Sequence, residues 1–257
     1  MLAVERRNLI LEKLHEEKRV VVSNLSKLYA VSEETIRRDL DKLEQEGLVI
    51  KSYGGAIINE STSIDVPFNV RKNRNVVGKQ KVADLVASLI QEGDHLMLDA
   101  STTSVFVAKA LKTIENLTVV TNSIENLIEL SDMTKWTVLS TGGKLKGEYL
   151  SLFGTKTEEG LASYSVDKAI ISCKAFDLER GFFDSQEEFS SAKRAMMRSA
   201  REVILVVDSS KFDQQSFAKI GDLKDITMIV TDKRPKAVWM EKFAQAGVAC
   251  IYPEGVR

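Results

Sequence analysis

Apolar positions along the chain change their period twice, and the changes divide it into three stretches. Near the N-terminus, Val4, Ile10, Leu11 and Leu14 recur at helical spacing, followed by a short run with Leu25, Leu28 and Tyr29 on one side and Ser23 as its cap. After a tight turn around Ala30 and Val31, Ile36, Leu40 and Leu43 fall at i, i+4 and i+7. Ser32 stands where a hydroxyl can cap this third helix, and Glu33 and Glu34 sit at the positive end of its dipole. Thr35, Arg38 and Lys42 then occupy a largely opposite face, with Arg37 to one side. Gly47 suits a helix stop, and the β-rich runs Leu48–Lys51 and Ala56–Ile58 flank Tyr53-Gly54-Gly55 as a hairpin. Three helices and a hairpin make a winged helix-turn-helix over residues 1–58. An exposed face of donors on its third helix suits a DNA major groove.

Residues 59–78 read as a linker: Asn59–Ser63 is polar and Pro67 bars a regular helix there. From Phe68 to Val82 the chain carries Arg71, Lys72, Arg74, Lys79 and Lys81 with no acid among them. These cations fit a solvated hinge, auxiliary phosphate contacts, or docking against the next domain. Residues 79–257 form that domain. Helical spacing at Val82, Leu85, Val86, Leu89 and Ile90 gives way to short apolar runs that each end in small polar residues. His95–Leu98 leads into Asp99-Ala100-Ser101-Thr102-Thr103, Leu117–Val120 into Thr121-Asn122-Ser123, and Trp136–Leu139 into Ser140–Gly143. Ala169–Ile171, Val203–Val207 and Met228–Val230 repeat the pattern. Continuous apolar strands alternating with helices predict a parallel sheet covered on both faces, an α/β fold.

In such sheets ligands lie beyond the carboxyl ends of the strands. Ser101, Thr102 and Thr103 would open a helix, where hydroxyls and free N–H groups bind an oxyanion. Gly142 and Gly143 permit close backbone approach, while Lys193, on a helix from Glu187 to Ala200, and Lys211 could supply charge to a phosphate. Asp99 and Asn122 suit sugar hydroxyls. Each feature alone has a plainer reading as a cap or a solvated lysine. Their convergence on one sheet edge points to a shared pocket for a small anionic polyol.

Thr35-Ile36-Arg37-Arg38-Asp39-Leu40, Leu43-Glu44, Gly47 and Gly54-Gly55-Ala56 resemble the signature of the DeoR family of bacterial sugar-catabolism regulators. The later blocks, Asp99–Thr103, Thr121–Ser123, Gly142-Gly143, Lys193 and Asp208–Lys211, match that family's sensor domain. The resemblance implies a ribose-5-phosphate isomerase-like fold there, and a phosphorylated sugar as effector. Tyr53 stands where the family usually has histidine, and Ser101 where many members have glycine. Asp99–Thr103 with Ser172-Cys173-Lys174 is similar to rhamnose-pathway regulators, which implies a deoxyketose 1-phosphate such as rhamnulose 1-phosphate.

Composition narrows the alternatives. No apolar run is long enough for a signal peptide or a membrane span, and Cys173 and Cys250 are far apart in strand-like surroundings. A cytoplasmic protein without disulfide framework or metal site is expected. The net charge of -1 argues against a strongly basic DNA surface, so self-assembly as a dimer or tetramer on repeated half-sites is expected to supply affinity. An uncharged-on-balance interaction module fused to a sugar-phosphate isomerase-like enzyme is the competing reading. Asp99, Glu148, Asp167 and Glu187 are carboxylates of the right type for a base. His15 and His95 have no triad-like companion in sequence, and P-loop and G-x-G-x-x-G patterns are absent, so no catalytic residue and no cofactor are expected. The DNA-facing candidates are Ser32, Thr35, Arg37, Arg38, Lys42, Lys51 and Tyr53.

Overall fold

The computed structural model describes residues 1–46, 48–58 and 68–253, and the chain divides into two units, Met1–Arg74 and Asn75–Arg257. Gly47 and Asn59–Pro67 lie outside the described residues, as does the side chain of His15.

The first unit runs α1 (Ala3–Glu17), β1 (Arg19–Val21), α2 (Val22–Tyr29), α3 (Glu33–Gln45), β2 (Val49–Ser52), β3 (Gly55–Ile58) and α4 (Phe68–Lys72). Ile10, Leu11, Leu14, Leu25, Ile36, Leu40 and Leu43 close a single core with Val20, Val22, Leu48, Val49 and Ala56. Ala30 closes α2 in the left-handed conformation at φ 53°, and Ser26 bonds Val31 across the turn. The hairpin is present, and β1 adds a third antiparallel strand in the order β1-β3-β2. That addition explains Gly55: a Cβ there would meet the Val20 carbonyl oxygen at 2.0 Å. Three expectations need correction. Ser23 does not cap α2, which begins at Val22 with no side-chain cap. Leu28 and Val4 point outward, because the α2 core contact runs through Val22 and Leu25 and α1 buries its later turns. The stretch expected to be linker carries α4 and the start of a longer helix.

The second unit begins with that helix, α5 (Val76–Ala87), capped by Asn75. It continues β4 (His95–Leu98), α6 (Thr102–Leu111), β5 (Thr118–Thr121), α7 (Ile124–Glu129) and β6 (Thr137–Ser140). A hairpin β7 (Lys144–Lys146) and β8 (Ser151–Phe153) precedes α8 (Thr155–Ala162) and β9 (Val166–Ser172). Then come β10 (Ala175–Asp177), β11 (Gly181–Asp184), α9 (Glu187–Arg198), β12 (Ala200–Val206), β13 (Ala218–Gly221), β14 (Met228–Val230), α10 (Ala237–Ala246) and β15 (Ala249–Ile251). All six strands read from the apolar runs lie in one parallel sheet, β15-β14-β12-β9-β4-β5-β6. The seventh, β15, holds Cys250. Alternate strand residues feed two cores. Met97, Val120, Ile171, Leu205 and Ile229 pack with Met196, Trp239 and Phe243 of α9 and α10. Leu96, Leu98, Val119, Ile170 and Ile204 pack with Val82, Val86, Val107 and Leu111 of α5 and α6. The sheet is therefore buried on both faces, as continuous apolar strands require. Helix α9 ends at Arg198, short of Ala200, which starts β12.

Candidate functional site

The surface suited to DNA is built on α3. Ile36, Leu40 and Leu43 anchor one side in the core, which leaves Arg37, Arg38 and Lys42 exposed. Ser32 caps the helix by accepting the Thr35 N–H at 3.1 Å, and the two hydroxyls lie 2.9 Å apart. Their first task is thus local. Asp39 falls on the buried stripe and pairs with Arg6 at 2.5 Å, fastening α3 to α1. Lys51 on β2 is exposed, and Tyr53 stands fully exposed at the hairpin tip beside Gly54, whose φ is 76°.

The second constellation lies at the carboxyl edge of the parallel sheet. Strand order runs outward from β4 toward β6 on one side and from β9 toward β15 on the other, so the β4–β9 boundary is the topological switch point. Asp99 bridges it: Oδ2 accepts from the Ser172 N–H at 2.8 Å and hydroxyl at 2.9 Å, and Oδ1 accepts from the Ser101 N–H at 3.2 Å. Lys193 Nζ reaches Asp184 at 2.5 Å and Asp99 at 3.4 Å. Burial would lower its pKa, but the two carboxylates outweigh that and hold it above the ordinary lysine value. The role expected for Lys193, a spare charge for a phosphate, is corrected here: its ammonium is already matched by buried acids. The neighbouring Cys173 thiol is pushed up to about 12 by burial, so it is no nucleophile at neutral pH.

Ser101 caps α6 by accepting the Ser104 N–H at 3.0 Å, and Thr102 and Thr103 follow, buried in the first turn. Asn122 is fully engaged on its donor side. Its amide gives one bond to the Leu152 carbonyl at 2.9 Å, tying β5 to the β7–β8 hairpin, while its Oδ1 is buried without a partner. Lys146 fastens the same hairpin, its ammonium lying 5.0 to 5.7 Å from the rings of Tyr149, Phe153 and Phe189. The paired glycines differ: Gly142, at φ 65°, borders open space, whereas Gly143 is packed. A Cβ on Gly143, whose φ is 119°, would meet Thr157 Oγ1 at 2.0 Å, and Thr157 donates to the Gly142 carbonyl at 2.8 Å.

Lys211 follows β12 in a short 3-10 turn, beside Asp208. Burial would raise the Asp208 pKa, yet Lys211, two bonds from Ser210, and Lys79 together hold it below the usual carboxylate range. Lys79, expected in a basic connector, is a further candidate at this edge. It is buried on α5, with its ammonium 5.8 Å from the Phe106 ring, one turn beyond Thr102 on α6. The signal was present: Lys79, Val82, Ala83 and Val86 share one helical stripe. Among the described residues, no cluster of histidine, cysteine and carboxylates is placed to hold a metal.

The family model described as the DeoR-like helix-turn-helix domain matches residues 6–62, and that of the DeoR C-terminal sensor domain matches residues 74–233. The chain belongs to the DeoR family. Among curated proteins it is 40% identical to the uncharacterized HTH-type transcriptional regulator YulB of Bacillus subtilis, covering 90% of each chain. It is 35% identical to a putative aga operon transcriptional repressor of Escherichia coli, covering 96% of this chain and 93% of the relative. Among solved structures it is similar to ribose 5-phosphate isomerase A of Methanocaldococcus jannaschii, at 15% identity and TM-score 0.39, over 52% of this chain and 53% of that one. Nothing about chemistry rests on that distant likeness. The DeoR relatives are transcriptional regulators, not enzymes, and the isomerase-like alternative is set aside on that ground. Among the described residues no helix is long and apolar enough to cross a membrane.

Proposed function

We propose that this DeoR-family regulator represses a sugar-utilisation operon and is released from its operator by a phosphorylated sugar. In this reading residues 1–58 bind duplex DNA, with α3 in the major groove and the β2–β3 hairpin against the backbone. Arg37, Arg38 and Lys42 then face the groove, Lys51 and Tyr53 follow the hairpin, and Ser32 and Thr35 sit at the helix start. The near-balanced charge favours a cytoplasmic homodimer or tetramer that engages repeated half-sites. The E. coli relative's printed name supports the repressor assignment.

Residues 79–257 hold the effector. The observation that carries this is the placing of Lys211 in the turn that Asp208 caps after β12, with the buried Lys79 packed on Phe106 of the helix that Thr102 and Thr103 open. Lys211 brings an ammonium group to this turn, and hydroxyls at a helix N-terminus add donors for a phosphate. Asn122 Oδ1, buried and unpartnered, supplies an acceptor for a sugar hydroxyl. Asp99, Ser101, Gly142, Gly143 and Lys193 shape the surrounding edge more than they contact the ligand. A deoxyketose 1-phosphate such as rhamnulose 1-phosphate is the finer proposal, suggested by the likeness of Asp99–Thr103 with Ser172-Cys173-Lys174 to rhamnose-pathway regulators. Release follows by linkage: an effector that prefers an arrangement unfit for the operator lowers DNA affinity by its differential affinity for the two states.

A thermal-shift screen of sugar phosphates tests this. A ligand present at about 100 times its Kd stabilises the native state by about 2.7 kcal/mol. The expected result is a raised melting temperature with one phosphorylated sugar, lost in Lys211→Ala and in Lys79→Met. A wild-type shift in both variants would remove the pocket assignment.

A further inference from the structure

Three of the four cations of the DNA-facing surface, Arg37, Arg38 and Lys51, are accompanied by acids. Arg37 lies 2.6 Å from Glu33 and 3.9 Å from Glu34, and Arg38 lies 3.5 Å from Glu34. Lys51 lies 2.5 Å from Asp41 and 3.7 Å from Glu44. Helix stability accounts for some of these acids. Glu33 and Glu34 suit the first turn of α3, and Glu44 accepts the Lys51 backbone N–H at 3.0 Å, joining helix to hairpin. Glu34 does more than suit the dipole, because it is the acid shared by both arginines and the one that meets Arg38, itself 79% exposed.

We propose that Glu34 sets the selectivity of DNA binding by positioning Arg38 and by opposing phosphate. This inference rests on the recognition-helix reading above. Sequence-independent binding is almost wholly an attraction to phosphates, so a carboxylate on the approaching surface works directly against it. One unit charge about 7 Å from a phosphate in water changes affinity by about threefold, less as salt is added. In a sequence-specific complex the balance differs. A guanidinium has five N–H donors, so Arg38 can offer two to a guanine edge and keep one on Glu34. There the carboxylate holds the reading fork in place, which offsets its repulsion of the backbone. Among the described residues Asp41 has no arginine to position: it meets Lys51, a point charge suited to phosphate. Its effect on all duplexes is therefore uniform, and it serves as the contrast.

The test is fluorescence anisotropy of the full chain on two labelled duplexes. One is the sequence that the wild-type protein selects from a random pool, and the other is the same composition scrambled. Glu34→Gln is expected to tighten binding to the scrambled duplex by about threefold at low salt while leaving the selected one unchanged or weaker. Asp41→Asn is expected to tighten both alike. Arg38→Ala reports on the underlying reading, since loss of affinity for the selected duplex is required of it. If Arg38→Ala leaves both duplexes unaffected, the recognition-helix reading itself fails. If it weakens binding as required but Glu34→Gln shifts both duplexes equally, weakens the scrambled one, or changes neither, only the selectivity role of Glu34 is overturned. Glu34→Ala, which also removes the charge, repeats the measurement should the glutamine variant melt below the assay temperature.

Discussion

Replacing Lys193 by methionine separates a structural from a ligand-binding role for the charge at the switch point. The substitution keeps length and flexibility but deletes the cation that meets Asp184 and Asp99, whose side chains are 12% and 1% exposed. Removing one partner of a buried ionic group leaves uncompensated charge and costs about 3–5 kcal/mol. For a unit of this size that corresponds to a fall of about 10 °C in melting temperature. The two tryptophans, Trp136 and Trp239, both belong to the larger unit, so intrinsic fluorescence follows its melting alone. The pH dependence has a definite sign. In the wild type the Lys193 pKa is raised, so its contribution is complete throughout the acid and neutral range and is lost only as pH rises through that raised value. In the variant the two carboxylates are left without the ammonium between them. The variant's deficit relative to the wild type should therefore narrow only in alkaline solution, as the wild type loses the Lys193 charge. Adding Asp184→Asn should restore part of the loss. A deficit below about 1 kcal/mol, or one indifferent to pH, would refute the reasoning that Lys193 is held for the fold.

Three further outcomes are expected. Ala30→Gly should stabilise the first unit by about 1 kcal/mol, because glycine adopts the left-handed turn without a Cβ penalty; a far-UV melt showing no gain would count against it. Asp39→Ala should strand the buried Arg6 at a cost of about 3 kcal/mol, producing an early circular dichroism transition that the tryptophan trace does not share. A single coincident transition would contradict that. Cys250, pushed up to about 11 by burial, and Cys173, at about 12, should react with a disulfide reagent at about pH 8 at least about a hundredfold slower than a free thiol. Rapid labelling of either in the native protein would show that burial is not controlling it.

What the sequence made legible follows a physical rule. Long apolar stripes and runs were readable: the Ser32 cap with Ile36, Leu40 and Leu43 on α3, and six of the seven strands of the parallel sheet. The buried partners of charged residues lying on those same stripes were not readable, even where the residue itself was singled out. Asp39 lies among Ile36, Leu40 and Leu43, Lys79 among Val82, Ala83 and Val86, and Lys193 among Ala192, Ala195 and Met196. A charge at a core position requires a partner, but the partner sits far off in sequence: Arg6 is 33 residues from Asp39. Three-residue strands such as β1, β7 and β8 have too few alternations to announce themselves, so Gly55 reads as a turn glycine when its contact is Val20. Asn122 and Gly143 were correctly placed at strand ends. Their nearest neighbours there are protein, namely Leu152 and Thr157.

The central claim, that a front unit grips DNA and a rear edge answers to an anionic sugar, meets its most direct test in one titration. The intact protein is bound to its selected duplex, and a panel of sugar phosphates with their unphosphorylated parents is added while anisotropy is recorded. The account predicts that one phosphorylated sugar lowers DNA affinity, that its parent sugar does not, and that Lys211→Ala abolishes the response while binding DNA normally. Release by parent and phosphate alike, or an undiminished response in Lys211→Ala, would contradict it.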